Sequence, residues 1–426
     1  MPLKILHISG DVGGGAARAA WRLHNSLCES SEIESNLIVR GLLDDDAQHL
    51  GIRSSYFGKI YLKIIPLLDR LPARLQFSYL KVPRSSGCLG SISLERINNS
   101  SADIVHLHWI CAGFLSIEQI GKISKPVVWS LHDMWPFCGA EHIAGDGANA
   151  RWRQGYSSLN RDSRDKGIDI DKWVWRRKQI AWARPLSIVA PSKWMADCAK
   201  SSMLMRGWNV AVVPNPLNVE IFKSINKEVA RKELNLPLGK KLIIFGAIRG
   251  TQLSYKGWDL LLPALKLLIN GKSDYEVVIF GERAPQNPPD LGFNLHWIGH
   301  VENELELAKV YSAADVAVVP SRQESFGQVA SEAQACGCPV VAFRSTGLID
   351  VIEHRVTGFL AEPFSIQDLA AGIEWVLSDE SRYKILSNSA RSRAVSLWSY
   401  DAVALQFMEI YQNAIRTQLT GDGEKI

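Results

Sequence analysis

A chain of 426 residues is too long for one comfortable hydrophobic core and suits two α/β domains. With 46% hydrophobic and 22% charged residues it is not a disordered or fibrous protein, and a formal net charge of +4 suits an anionic small ligand without implying a nucleic-acid partner. Seven scattered cysteines argue against a disulfide framework, Cys336 and Cys338 stand too close for the usual metal-ligand pair, and no stretch approaches ~20 apolar residues, so no spanning helix is expected.

The chain opens directly on an apolar strand, KILHIS, without a basic-then-apolar leader, which makes the cytoplasm the expected compartment. Gly13-Gly14-Gly15-Ala16 joins that strand to a helix expected over Ala16–Cys28. Arg18 stands where the dinucleotide fingerprint needs its third glycine, so a phosphate loop and a tight turn are equal readings. After the strand NLIVR, Asp44-Asp45-Asp46 has no aromatic or phosphate-binding context and reads as a solvated loop. Residues 58–84 interleave Lys59, Lys63, Arg70, Arg74 and Lys81 with large apolar side chains, and Asp69 is the segment's one acid. Two readings stand there: a peripheral contact with the inner face of a membrane, and a packed helical insertion with a solvated side.

In IVHLHW, His106 and His108 alternate along a strand and share one face. With Asp133 they could suggest a metallohydrolase; histidines hydrogen-bonded at a strand end are the favoured reading, and no metal is expected. VVWSLH ends on His132, and LSIVAPS closes the first half. Between them a basic cluster carries Trp152, Trp173, Trp175 and Trp182, with a helix expected over Ile168–Ala183; the helical spacing of WVWRRKQIAW favours core packing over base stacking.

The second half begins with AVVPN and a Pro-rich stretch (Pro214, Pro216) that reads as an interdomain linker. KLIIFGA, YEVVIFG, LHWIGHV, VAVVPS, PVVAF and GFLAE then alternate with helices expected at Trp258–Asn270, Leu305–Ser312, Gly327–Ala335 and Ile366–Leu377. A last helix is expected near Tyr400–Leu419. The pattern predicts an α/β protein of two Rossmann-like domains facing each other across a cleft, where strand ends form a ligand crevice. The expected boundaries are 1–190 for the first domain, 191–218 for the linker region, 219–396 for the second domain, and 397–426 for a helix packing back across the domains.

The densest chemical signal is Glu324-Ser-Phe-Gly-Gln-Val-Ala-Ser-Glu332 after the strand VAVVPS. Phe326-Gly327 opens a helix there, and helix-start N–H groups attract phosphate. Glu332 falls in the second turn, where a carboxylate can accept from a pair of sugar hydroxyls. Upstream, Arg249 and Lys256 follow a buried strand ending in glycine, where two cations can hold a diphosphate and neutralise the charge of a leaving group.

Together the EsFGqvaxE block, the KG-helix block, the GGxA loop, VPNP and TGFL resemble glycosyltransferase family 4, with its GT-B fold and retaining chemistry, over nearly the whole chain. LHDMWPFCGAEH and WVWRRKQIAW are similar to a bacterial branch that builds surface polysaccharides. The resemblance implies that a nucleotide-diphosphate sugar is the donor and that a saccharide or lipid-linked saccharide is the acceptor, with no cofactor. It implies Glu324 on donor-sugar hydroxyls, Glu332 on the ribose, Arg249 and Lys256 on the diphosphate, and His132 beside the reacting sugar. Gly14, Gly15, Phe326, Gly327 and Gln328 would complete the donor site, the last two through backbone N–H groups. Two departures stand out. Seven positions separate Arg249 from Lys256, more than the family's usual spacing, and Gly145–Asp165 lacks the cysteine cluster that follows HDMWPF in many relatives. A sugar-nucleotide epimerase or a phosphorylase on the same two-domain plan is the alternative.

Overall fold

The computed structural model describes residues 1–10, 13–40, 64–246, 248–268 and 274–420; Asp44-Asp45-Asp46 and the first part of the 58–84 segment lie outside them. The chain divides into two compact units, Met1–Val213 with Ala404–Ile426, and Pro214–Val403. The strands among the described residues are β1 (Leu3–Ser9), β2 (Ile33–Val39), β3 (Gln76–Phe77), β4 (Ile104–Leu107), β5 (Val127–Ser130), β6 (Lys166–Gly167), β7 (Ser187–Ala190), β8 (Val210–Val212), β9 (Lys241–Gly246), β10 (Tyr275–Phe280), β11 (Leu295–Gly299), β12 (Val316–Val319), β13 (Val340–Phe343) and β14 (Gly358–Ala361).

In the first unit six strands lie in the order β2-β1-β4-β5-β7-β8, and every adjacent pair is parallel. The central strands IVHL and VVWS are buried at every position, as a parallel sheet covered on both faces requires. A short antiparallel pair, β3 with β6, stands apart from this sheet.

The second unit holds a parallel sheet in the order β11-β10-β9-β12-β13-β14. Alternation along β9 feeds its two sides: Leu242 and Ile244 enter one apolar cluster, Ile243 and Phe245 the other. The helix Ile366–Leu377 matches the expected bounds, and Gln328–Ala335 and Glu304–Ala313 match theirs to within a residue.

Three expectations need correction. AVVPN does not begin the second domain: β8 pairs with β7 from Ile188↔Val210 to Ala190↔Val212 and completes the first sheet. Residues 191–213 therefore belong to the first unit instead of a linker, with a helix over Lys193–Ser201, and the chain passes to the second unit at Pro214. A proline cannot donate a ladder hydrogen bond, which suits a strand's exit.

The second correction is a helix, Glu380–Trp398, that the reading of the chain did not include. It buries Leu386, Ala390, Ala394 and Trp398, one residue every four along a single narrow stripe. Nineteen residues with so few apolar positions give almost no periodic signal. Its two central alanines let it lie close against the Gln328–Ala335 helix.

The third concerns the boundary at 397. Trp398 and Tyr400 stay with the second unit, where Leu217 N donates to Trp398 O at 2.7 Å. From Ala404 the Tyr400–Thr420 helix belongs to the first unit. There Tyr411 is fully buried with its hydroxyl 2.7 Å from His106 Nδ1, and Gln418 Nε2 donates to Ser124 O at 2.8 Å.

Candidate active site

In the second unit a glycine sets the geometry. The turn Ser254–Lys256 ends at Gly257, whose φ is +73°, and a Cβ there would lie 1.9 Å from the Pro320 carbonyl oxygen. The backbone after β9 thus presses on the backbone after β12, which a side chain would prevent. That approach puts Lys256 Nζ 2.6 Å from Glu324 Oε1, and Ser321 Oγ donates to the same oxygen at 2.8 Å. The two charged side chains keep 22% and 17% of their exposure, so the pair faces solvent at one edge. Burial opposes the lysine's charge, yet the Glu324 carboxylate outweighs it and holds the Lys256 pKa above its usual value.

Glu324 is fixed from its backbone as well. Its N–H donates to Thr346 Oγ1 at 3.0 Å and its carbonyl accepts from Gly347 N at 2.9 Å. A Cβ on Gly347 would stand 2.4 Å from Ser325 O, so the Thr346-Gly347 turn also relies on a missing side chain.

Gly327, at φ +100°, caps the helix Gln328–Ala335, whose first turn carries no acid. The helix start therefore keeps its positive end, three residues after Glu324 in sequence. Phe326 is only 4% exposed and meets Trp398 edge-on at 6.0 Å, so its ring belongs to the core, and what it can offer a ligand is backbone. Glu332 is 2% exposed, and its Oε2 accepts from the Tyr311 hydroxyl at 2.7 Å. Arg249 stands on an exposed turn at φ +54°, its guanidinium on Gln252 Oε1 at 3.2 Å. Lys256 and Glu324 are thus brought together, while Arg249 is engaged by Gln252 on its own turn.

In the first unit, Gly14 caps the helix Gly15–Cys28 in extended conformation and accepts from Arg18 N at 3.1 Å. That makes the glycine run a strand-to-helix turn with an acid-free helix start. Beyond it lies a stack of imidazoles. His7 and His106 are register partners on β1 and β4, and His108 follows β4 on the same face. His7 Nδ1 and His108 Nε2 are 3.0 Å apart, as are His108 Nδ1 and His132 Nε2. His106 is held separately, by Tyr411 at 2.7 Å and Ser130 at 2.8 Å.

The ring nitrogens of His7, His106 and His108 lie within 4.8 Å of one another. His106 and His108 are stacked at 4.4 Å and 21°, however, and His7 and His108 at 5.3 Å and 26°. Both nitrogens of His106 are taken by Tyr411 and Ser130, and His7 Nδ1 and His108 Nε2 face each other, so the three are engaged in hydrogen bonds instead of converging on one point as a zinc site requires. Asp133 stands outside the group, accepting from His142 Nδ1 at 2.6 Å and Trp109 Nε1 at 2.9 Å. Burial, then the charge of His24, presses His7 down to about 3; burial and the neighbouring imidazoles hold His106 and His108 well below the usual value.

One structural support near these residues escaped the sequence reading. Lys178 is fully buried and donates to the carbonyls of Trp135, Cys138 (3.1 Å) and Gly139 (2.7 Å), locking the loop that carries His132. Its ammonium sits 3.7 Å above the Trp135 ring. Burial lowers its pKa to about 7. The signal was available: Lys178 falls between Val174 and Trp182 at four-residue spacing, on the buried face of its helix.

Comparison with known proteins follows the same division. Residues 226–393 match the family described as Glycosyl transferases group 1, and residues 13–221 match Glycosyltransferase Family 4. A D-inositol 3-phosphate glycosyltransferase of Arthrobacter sp. is 30% identical over 338 residues, covering 75% of each chain. Alignments with other proteins of that name, from Segniliparus rotundus and Corynebacterium aurimucosum, span about half of their lengths. Among solved structures, sucrose-phosphate synthase from Thermosynechococcus elongatus superposes with a TM-score of 0.68 at 19% identity, covering 97% of this chain and 100% of that one, a likeness of the GT-B fold alone. These matches, on a chain of two parallel-sheet, Rossmann-like units, place it in glycosyltransferase family 4.

Proposed function

We propose that this chain is a retaining glycosyltransferase that moves a sugar from a nucleotide-diphosphate sugar to a saccharide or lipid-linked saccharide in polysaccharide biosynthesis. The observation that supports it most is the Lys256–Glu324 pair at 2.6 Å, beside the Gly327 helix start. In this reading the diphosphate takes Lys256 as its counter-ion, with Arg249 and the N–H groups of Gly327 and Gln328 sharing the charge. Glu324 then turns to the donor-sugar hydroxyls, and Glu332 holds the ribose. The first unit takes the acceptor, with the Gly14-Gly15 loop and His132 toward the reacting sugar.

The bond from the anomeric carbon to the phosphate oxygen breaks as positive charge builds on the sugar ring, and Lys256 stabilises the leaving diphosphate. The acceptor hydroxyl attacks from the same face, and its proton passes to the departing phosphate oxygen. No metal is required, because cations and helix-start amides meet the diphosphate charge. Proton NMR of the product is the test: an α-linked donor must give an α-linked bond, and diphosphate release must depend on added acceptor. A β-linked product refutes retention; release without acceptor points to the epimerase alternative.

No helix among the described residues is long and apolar enough to cross a membrane. The reading of a cytoplasmic enzyme at the inner face of a membrane has its own support. Leu67, Leu71, Leu75, Phe77 and Leu80 are each about half exposed or more, among exposed Arg70, Arg74 and Lys81. The segment's acid is withdrawn: Asp69 is fully buried, with Oδ1 accepting from Cys88 N at 2.8 Å and Ser86 Oγ at 3.0 Å. The outward side is therefore apolar and cationic, suited to anionic lipid. Co-sedimentation with anionic vesicles but not with neutral ones is expected; equal partition refutes it.

A further inference from the structure

We propose that His108 is a positioning residue that, together with His7, fixes the tautomer of His132, so that His132 presents an Nδ1–H donor. The inference rests on the reading above only in giving His132 a part in transfer.

The argument begins at the buried end of the chain. His7, His108 and His132 are linked through ring nitrogens at 3.0 Å and 3.0 Å, and the first two are at most 2% exposed. A neutral imidazole carries one N–H donor and one acceptor nitrogen. Three of them in a row can therefore be linked in only two ways, with all the protons pointing toward His132 or all pointing toward His7.

His7 decides between the two. Its Nε2 is buried and has no hydrogen-bond partner among the described residues. Were all protons directed toward His7, that nitrogen would carry an orphaned N–H in the interior. Such donors are rarer than under-satisfied acceptors, and they cost the group's desolvation. The proton therefore sits on His7 Nδ1 and is donated to His108 Nε2. His108 must then carry its own proton on Nδ1, which it donates to His132 Nε2. His132, with Nε2 occupied as an acceptor, holds its proton on Nδ1.

Burial of the chain keeps it neutral, which this ordering requires: the His7 and His108 pKa values lie far below neutrality. The strands make the arrangement rigid, because His7 is in register with His106, and His108 N donates to Ile8 O at 3.0 Å. The planes of His108 and His132 are near-parallel, at 18° with centroids 5.3 Å apart, so the 3.0 Å contact runs edge to edge and holds the second ring in line. In this way two histidines with no access to substrate determine which ring nitrogen of a third is a donor.

The test uses the full chain, labelled with ¹⁵N-histidine, and long-range proton–nitrogen spectra with His132 assigned through H132Q. The expected wild-type signature is a protonated Nδ1 on His132. H108F removes both nitrogens and should release His132 to the Nε2–H form, with kcat reduced roughly 10-fold or more and the donor KM little changed. H108N keeps an amide donor where Nδ1 stood and should retain both the Nδ1–H signature and most of the turnover. A wild-type spectrum with the proton on Nε2, or an H108F spectrum identical to wild type, overturns the proposal. If the tautomer switches in H108F while turnover stays unchanged, the histidine chain stands and the part given to His132 in transfer falls.

Discussion

Gly257→Ala puts the tightest backbone approach in the second unit under strain. Alanine at φ +73° costs about 1–2 kcal/mol from its own Cβ. The same Cβ would stand 1.9 Å from Pro320 O, where an ordinary carbon–oxygen contact is ~3.3 Å, so the two backbones must part by more than ~1 Å. Neither partner is a flexible side chain, and such overpacking costs about 1–3 kcal/mol more. The sum is about 2–5 kcal/mol, and the same displacement is enough to break the 2.6 Å Lys256–Glu324 bond. A 1 Å misplacement at a reacting site can cost roughly 100-fold in rate. Urea denaturation should show the stability loss, and a coupled assay of nucleotide diphosphate release should show the loss of turnover. Gly239→Ala is the control, because a Cβ there meets nothing within 4 Å and its backbone is not left-handed. Wild-type denaturation and turnover in Gly257→Ala would refute the argument that the glycine's missing side chain positions the lysine.

Calorimetry with a bare nucleoside diphosphate should separate the two glutamates. Glu332→Ala is expected to weaken binding by roughly 10-fold, whereas Glu324→Ala should bind nearly as wild type and lose turnover with the sugar donor; equal affinity losses would contradict the roles given to them. The pH dependence of stability should expose Glu141, which burial, and next the Asp171 charge, raise to about 8. The folded chain then keeps a proton that the unfolded chain gives up near 4.5, so this group costs stability increasingly as pH rises from about 4.5 to about 8. Glu141→Gln keeps an acceptor for the Tyr156 hydroxyl and has no proton to lose. Its melting temperature should gain on wild type across that window and run parallel below it; parallel curves throughout would refute the shift.

Much of this molecule was legible from local chemistry. A strand buried on both faces must be a short apolar run, so KILHIS, KLIIFGA and VAVVPS announced β1, β9 and β12. A helix with a broad apolar face announces itself too, as Ile366–Leu377 did. Glycine before a helix and a carboxylate after a strand are local patterns, which is why Glu324, Gly327 and Lys256 could be singled out. Other features depend on residues far apart along the chain. Whether Val210–Val212 belongs to one half or the other is decided by its pairing with β7, and the strand's own residues are silent on the point. Glu380–Trp398 has too narrow an apolar stripe to be seen before its neighbour is in place. Lys256 and Glu324 are 68 positions apart and His7 and His108 are 101, so their contacts exist only once parallel strands have been laid side by side. The spacing of Lys178 with Val174 and Trp182 puts it on a buried helix face, but which carbonyls it satisfies is decided only when the loop has folded over it. Burial and hydrogen-bond partners set the charge and the tautomer of such groups, and both come from atoms that the local sequence does not contain.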